Sequence, residues 1–268
     1  MKRIFTFFTV GIMLVACSRN AITGRNQLAL YPESEIEQAA AQQYRQFLTQ
    51  NKVVSTSASR DAEMVRRVGQ RIASAITQYY TQKGLGNELN GYQWEYNLVD
   101  SKEVNAWCMP GGKIVVYTGL LPITQNEAAL AVVVGHEVTH AVAKHGNERL
   151  SQGMLQQLGG VALSVALSNQ PSTTQNLLMA AYGAGTEVGI LLPFNRNQEY
   201  EADKFGLFYT AMAGYNPQEA IPLWQRMEAA ANGQHPPEFL STHPSEGNRI
   251  KRLQQLMPEA LKYYKPVR

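Results

Sequence analysis

In this 268-residue chain the residues best suited to chemistry are His136-Glu137-Val138-Thr139-His140, two imidazoles four positions apart with a carboxylate between them. On an α-helix of 3.6 residues per turn, side chains four apart share a face, so His136 and His140 can hold one metal ion. Catalytic Zn²⁺ takes three protein ligands, leaves its fourth position to water and favours neutral imidazole. Glu137 stands about 100° round the helix, beside the ligands, where it can accept the proton of a metal-activated water. The expected chemistry is hydrolysis of an amide bond at neutral pH.

Such a motif also arises by chance, so its surroundings decide. Residues 126–135, Asn126-Glu127-Ala128-Ala129-Leu130-Ala131-Val132-Val133-Val134-Gly135, are apolar enough to bury, contain no proline and run into the motif as one helix. The third ligand separates the classes. Metzincins place a Gly and then a third His within six residues of the second His, and here Ala143 and Gly146 occupy those positions. His145 falls roughly half a revolution out of phase if the helix continues, which makes it a poor ligand.

A better ligand lies in residues 196–206, Arg196-Asn197-Gln198-Glu199-Tyr200-Glu201-Ala202-Asp203-Lys204-Phe205-Gly206. Glu199 and Asp203 are four apart and share a helix face, the first able to ligate zinc and the second to hydrogen-bond a ligand imidazole and fix its tautomer. Glu201 lies about 200° from Glu199 and faces elsewhere. This reading makes His136, His140 and Glu199 the metal ligands of one Zn²⁺, Glu137 the catalytic base and Asp203 a partner behind a ligand.

These segments, with Ala143-Lys144-His145-Gly146 and Ser241-Thr242-His243-Pro244-Ser245 followed by Arg249-Ile250, resemble the CAAX-prenyl-protease-type zinc metallopeptidases, peptidase family M48, and within it the soluble, membrane-tethered BepA/LoiP/Oma-like branch. The resemblance covers roughly residues 30–256 and implies the same ligand, base and partner assignments. The family also carries an Asn-Ala pair before a Pro-Gly-Gly turn, matched here by Asn105-Ala106-Trp107-Cys108-Met109-Pro110-Gly111-Gly112-Lys113. In similar enzymes the strand at that pair lies along the cleft. Asn105 and Ala106 are therefore expected to bind extended or unfolded polypeptide by strand addition.

The resemblance implies an endopeptidase acting on misfolded or unassembled cell-envelope proteins. A competing expectation is a lipid-anchored periplasmic chaperone or binding protein with a gated, rarely active zinc site. His243 is one of five histidines, and the following Pro244 restricts it to an extended conformation that can project its side chain. It is expected to reach the site, as a catalytic hydrogen-bond donor to the tetrahedral oxyanion or as an occupant of the open zinc position.

The elements that must position these groups read as an α+β fold, predominantly helical, of zincin-like (gluzincin) type with a small sheet beside the HExxH helix. A helix starts at Pro32-Glu33-Ser34-Glu35 and runs to about Gln50. A second spans 61–80, with Met64, Val65, Val68, Ile72, Ala75 and Ile76 at helical spacing. Strands follow at 94–98 and on either side of Pro-Gly-Gly. Further helices are expected at 219–231 and within 244–257. Between the halves of the site, residues 159–192 read as an apolar helical hairpin with a polar tip, a candidate lid.

The chain divides into a lipoprotein signal peptide (1–16), a lipidated tether (17–30) and a single zinc metallopeptidase domain (31–268). Lys2 and Arg3 precede an apolar stretch, 4–15, too short to span a bilayer. Leu14-Val15-Ala16-Cys17 resembles a bacterial lipobox, which makes Cys17 the lipid-modified residue and anchors the protein in the cell envelope, facing the periplasm. Several acyl chains on one residue anchor more firmly than one. Ser18, rather than Asp, favours the outer membrane. Residues 23–28, Thr23-Gly24-Arg25-Asn26-Gln27-Leu28, also resemble a family segment that packs against the domain. Cys108 is left alone, a small buried hydrophobe and no disulfide partner. Without Lys2 and Arg3 the 24 basic side chains become 22 against 21 acidic, and no basic stripe marks a nucleic-acid site.

Overall fold

The computed structural model describes residues 17–158, 195–231, 237–243 and 248–266. Strands β1 (Cys17–Arg19) and β2 (Asn26–Leu28) pair antiparallel around a turn in which Gly24 takes φ 73°. Helix α1 (Glu33–Gln50) follows, then α2 (Arg60–Gln82), whose Ser59 hydroxyl accepts the Ala62 amide at its start. Along α2, Val65, Val68, Ile72, Ile76 and Tyr80 are buried on one face, the stripe expected of a helix laid on a core.

Three strands, β3 (Glu95–Val99), β4 (Ala106–Met109) and β5 (Lys113–Tyr117), form a sheet in the order β3-β5-β4. β5 runs parallel to β3 and antiparallel to β4. The Pro-Gly-Gly turn joins β4 to β5, with Gly111 and Gly112 at φ 77° and 79°, and a Cβ on Gly112 would lie 2.5 Å from the Trp94 ring. Both faces of the sheet are covered, and the pleat sorts the side chains between them. Ala106, Cys108, Ile114 and Val116 join the main core with α2, whereas Trp107, Met109, Val115 and Tyr117 pack on Ile36, Tyr44 and Phe47 of α1. Cys108 is buried, as its strand position suggested.

Helix α3 (Glu127–Val142) carries the HExxH motif and runs through the centre of the molecule, every residue from Ala129 to Val142 buried. The Asn126 side chain accepts the Ala129 amide at 2.8 Å and starts it. A helix apolar on all sides survives only inside a core, here between β4, α2 and a later helix, α5 (Arg196–Met212). It stops at Ala143, and Lys144 adopts φ 57° before α4 (His145–Leu158) begins.

After α4, the structure resumes with α5 (Arg196–Met212), which Asn195 and Gln198 start as a reciprocal capping box. Then come α6 (Ala220–Ala231), α7 (Glu238–Thr242) and α8 (Arg249–Ala260). The expected fold class, mostly helical with a small sheet beside the motif helix, is what the structure has. The last helix starts at Arg249, inside the expected 244–257 window.

Residues 17–30 differ from a free tether. Asn20 and Gln27 each donate a side-chain N–H to the Ala143 carbonyl at 2.9 Å, and the Leu30 amide donates to Ser151. Of the two readings open for residues 23–28, packing against the domain is the one observed, because the last carbonyls of α3 need donors and the hairpin supplies two. The expected signal peptide (1–16), the Cys17 side chain and the 159–192 hairpin lie outside the described residues. Among those described, no helix is long and apolar enough to cross a membrane.

Candidate metal centre

One turn apart on α3, His136 and His140 bring their Nε2 atoms to 3.1 Å of each other. Both rings are buried. Burial drives the His140 imidazole pKa well below its ordinary value, so the ring is neutral, the form that ligates a metal.

Helix α5 crosses α3 directly behind them. A Cβ on Gly206 would sit 2.7 Å from the His136 amide nitrogen, and one on Gly135 would sit 2.8 Å from the Gly206 carbonyl oxygen. The two glycines thus let the backbones touch at the residue where the motif begins. That contact delivers Glu199 and Asp203, one turn apart on α5, to the histidines. The Glu199 carboxylate places Oε1 3.4 Å from His140 Nε2 and Oε2 3.6 Å from His136 Nε2. Asp203 Oδ1 lies 3.1 Å from His136 Nδ1, the position expected for the carboxylate that fixes a ligand's tautomer.

His243 ends α7 and is buried among the same atoms. Its Nδ1 is 2.9 Å from Glu199 Oε1 and 3.2 Å from His136 Nε2, its Nε2 is 3.4 Å from Glu137 Oε1, and its ring stacks on Phe239. The α7 backbone is tied to the sheet through the Phe239 amide, which donates to the Val104 carbonyl. Asn105 and Ala106 follow at once, buried at the start of the edge strand β4, where the Asn105 side-chain oxygen accepts the Ala106 amide.

The donor set fits a zinc ion. Ligands bound at 2.0–2.1 Å round a tetrahedral ion stand about 3.3 Å apart; the two imidazole nitrogens are 3.1 Å apart, and the Glu199 carboxylate sets one oxygen 3.4 Å from His140 and the other 3.6 Å from His136. One ligand atom from each of these three and from His243 lies within 4.8 Å of every other. Beside them, Glu137 Oε1 is buried without a hydrogen-bond partner among the described residues. Burial, with Glu199 nearby, pushes the Glu137 carboxyl up to about 8 against the pull of His136 and Arg249.

Sequence reasoning missed the role of Arg249 and the contact between His145 and Glu201. Arg249, at the start of α8, is buried with its guanidinium 3.4 Å over the Trp224 ring, donating to Asp203 Oδ1 at 2.6 Å and lying 3.2 Å from Glu199 Oε2. It was visible only as part of a resemblance, with no role attached. His145, expected to be a poor ligand, stands behind His140 and outside the group of His136, His140, Glu199 and His243. Because α3 stops at Ala143, the left-handed Lys144 turns the chain and His145 Nδ1 meets His140 Nδ1 at 2.9 Å. Glu201 does face away from Glu199, yet it is buried and accepts from His145 Nε2 at 2.8 Å.

A buried His-His-Glu triangle with a carboxyl group beside it, carried by two crossing helices, is the arrangement found in metallopeptidases of the glutamate-ligand type. The chain belongs to Peptidase family M48, whose pattern matches residues 59–257. It is 38% identical over 183 residues to the mitochondrial metalloendopeptidase OMA1 of Arabidopsis thaliana, covering 68% of this chain and 36% of that one. To the mitochondrial metalloendopeptidase OMA1 of Danio rerio it is 30% identical over 246 residues, 90% of this chain and 50% of the relative. The β-barrel assembly-enhancing protease of Escherichia coli is 29% identical over 204 residues, 68% and 40% of the two chains. The chain thus spans between about a third and a half of the length of these relatives.

Proposed function

We propose that this protein is a zinc-dependent endopeptidase that hydrolyses peptide bonds of extended or unfolded polypeptides. The observation that carries the reading is the buried triangle of His136, His140 and Glu199 with Glu137 alongside. A zinc ion held there supplies Lewis acidity, polarising a scissile carbonyl and acidifying water. Glu137 takes a proton from the attacking water as the C–O bond forms and passes it to the amine nitrogen as the C–N bond breaks. Asp203 holds the Nδ1 hydrogen of His136, which leaves Nε2 to the metal. Arg249 offsets the combined charge of Asp203 and Glu199.

His243 is proposed as a gate. Its Nδ1 stands among the ligand atoms and its Nε2 against the general base, which supports a closed site that opens when His243 leaves. As a gate, His243→Ala raises turnover; as an oxyanion donor, it lowers kcat by roughly 10²–10³. Unchanged kcat and unchanged metal coordination would sink both roles. Substrate is proposed to add along β4 near Asn105 and Ala106, an edge strand of the sheet.

The site of action is proposed as the bacterial cell envelope, facing the periplasm, with Cys17 lipidated in the outer membrane, residues 1–16 as signal and 31–268 as the peptidase domain. The lipobox-like Leu14-Val15-Ala16-Cys17 supports the anchor, and the docked hairpin would then hold the domain close to the bilayer. Misfolded or unassembled envelope proteins are the proposed substrates, in keeping with an Escherichia coli relative named as a protease that enhances β-barrel assembly, while the OMA1 relatives are mitochondrial. The rival chaperone reading is not favoured, since binding alone requires no base beside the triangle. Casein cleavage by the wild type, lost roughly 10²–10⁴-fold in Glu137→Gln, tests the activity. Equal cleavage by both would refute it. Clients trapped by Glu137→Gln in membranes test the substrate class.

A further inference from the structure

The side of His140 that faces away from the metal triangle is tied to the N-terminal hairpin by a continuous line of hydrogen bonds. His140 presents Nε2 to Glu199 and His136, so its hydrogen is on Nδ1, which donates to His145 Nδ1 at 2.9 Å. The hydrogen of His145 is then on Nε2, which donates to Glu201 Oε2 at 2.8 Å. Glu201 is held in turn by Arg25, through Nε to Oε1 at 2.8 Å and Nη2 to Oε2 at 3.1 Å. The same guanidinium grips Glu148 with Nη1 and Nη2 at 2.6 and 2.7 Å, and Gln198 donates to Glu148 at 2.8 Å. Every tautomer along the line follows from its neighbour. Reversing one step would leave two lone pairs, or two hydrogens, facing each other in a buried site.

We infer that Arg25 is a positioning residue of the metal centre, acting through Glu201 and His145 to hold His140 in the tautomer and orientation that bind zinc. The inference rests on the His136, His140 and Glu199 centre proposed above. Two features single out Arg25 from an ordinary docking contact. Its planar fork makes four hydrogen bonds to two carboxylates that a lysine cannot reproduce. Hairpin docking has other means, because Asn20 and Gln27 hold the Ala143 carbonyl independently. The segment next to Cys17 is thereby part of the site it precedes.

The test is the zinc dissociation constant of the purified full-length chain, by chelator competition, alongside the melting temperature of the metal-free protein. Outer carboxylate and hydrogen-bond partners of a ligand are each worth about 10–100-fold in metal affinity. Arg25→Gln and Glu201→Gln are expected to weaken zinc binding by about that factor at temperatures where the metal-free variants are folded. Arg25→Lys is expected to recover only part of it. Asn20→Ala, which loosens the hairpin without touching the line, is expected to lower the melting temperature and leave zinc affinity within about threefold of wild type. If Glu201→Gln and Arg25→Gln lower the melting temperature alone and bind zinc as the wild type does, Arg25 is only a clamp and the inference is overturned. Should Arg25→Gln fail to fold, Glu201→Gln still decides, since Glu148 keeps Arg25 in place. A wild-type chain that binds no zinc removes the centre itself, an outcome distinct from a wild type that binds and variants that bind equally well.

Discussion

The two histidines of one motif are supported in opposite ways. Behind His136 the backing is compact: Asp203 touches the ring directly, and Arg249, fixed over Trp224, neutralises it. Behind His140 the backing is long, passing through His145 and Glu201 to Arg25 in a hairpin more than a hundred residues earlier in the chain. The difference follows from where each ligand sits on α3. His136 lies where α5 crosses, beside Gly135 and Gly206, so a neighbouring helix reaches it in one step. His140 lies at the helix's end, where chain reversal at Lys144 leaves room for a second imidazole and the carbonyl of Ala143 needs outside donors. A metal site on a helix end thus recruits whatever packs against that end.

The sharpest way to break the compact side is to remove its cation. Arg249→Met leaves Asp203 and Glu199 buried and uncompensated, which is expected to cost about 3–5 kcal/mol in the metal-free protein, measured by denaturant unfolding. A loss below about 1 kcal/mol would mean that the pair is neutralised otherwise. Next comes the crossing. Gly206→Ala places a methyl against the His136 backbone and is expected to cost about 1–3 kcal/mol and to lower zinc content, read by unfolding and metal analysis together. Wild-type zinc content would show that the crossing can yield without moving Glu199.

The comparison is then sharpened by a single-atom change on the compact side. Asp203→Asn is expected to weaken zinc binding by about 10–100-fold, and by more than Glu201→Gln, because Asp203 touches its ligand while Glu201 acts one imidazole removed. The reverse order would contradict the contrast. The smallest effect is expected at the other end of α3, where Glu127 pairs with Arg67 and accepts from Tyr215. The Arg67 hydrogen bond is the main cause that holds the Glu127 carboxyl below its ordinary 4.5. A depressed carboxyl contributes stability above the unfolded value and loses it as pH falls through the folded one. Arg67→Ala should therefore cost only about 0.2–1 kcal/mol near pH 7, since the pair is partly exposed, and the cost should shrink as pH falls below the ordinary carboxyl range and vanish once Glu127 is protonated in the folded protein. An equal cost across that range would assign the effect to packing.

Helical spacing was enough to put His136 with His140 and Glu199 with Asp203, because positions four apart share a face whatever surrounds them, while the meeting of the two pairs was expected from ligand chemistry and the family resemblance and depends on the Gly135–Gly206 crossing. The same reasoning placed α2 within two residues of both its ends and the motif helix within a residue of its start. It failed where geometry leaves the helix. His145 was judged on a helix that continues, and the break falls on Lys144, a residue that carries no glycine-like signal for a left-handed turn. Arg249 escaped because its partners lie 46 and 50 positions away and an arginine after a loop predicts nothing by itself. The hairpin at 17–28 did leave a signal, the family-like segment Thr23 to Leu28, whose Gly24 has φ 73°, but nothing in the sequence showed that Asn20 and Gln27 would dock it on the Ala143 carbonyl.

The most direct test of the account is X-ray absorption of zinc in the wild type and in Glu199→Ala. One zinc per chain with a nitrogen and oxygen shell at about 2.0–2.1 Å, lost or reorganised in Glu199→Ala, is the predicted result. A wild type without zinc, or a Glu199→Ala protein that keeps the same metal in the same shell, would contradict it.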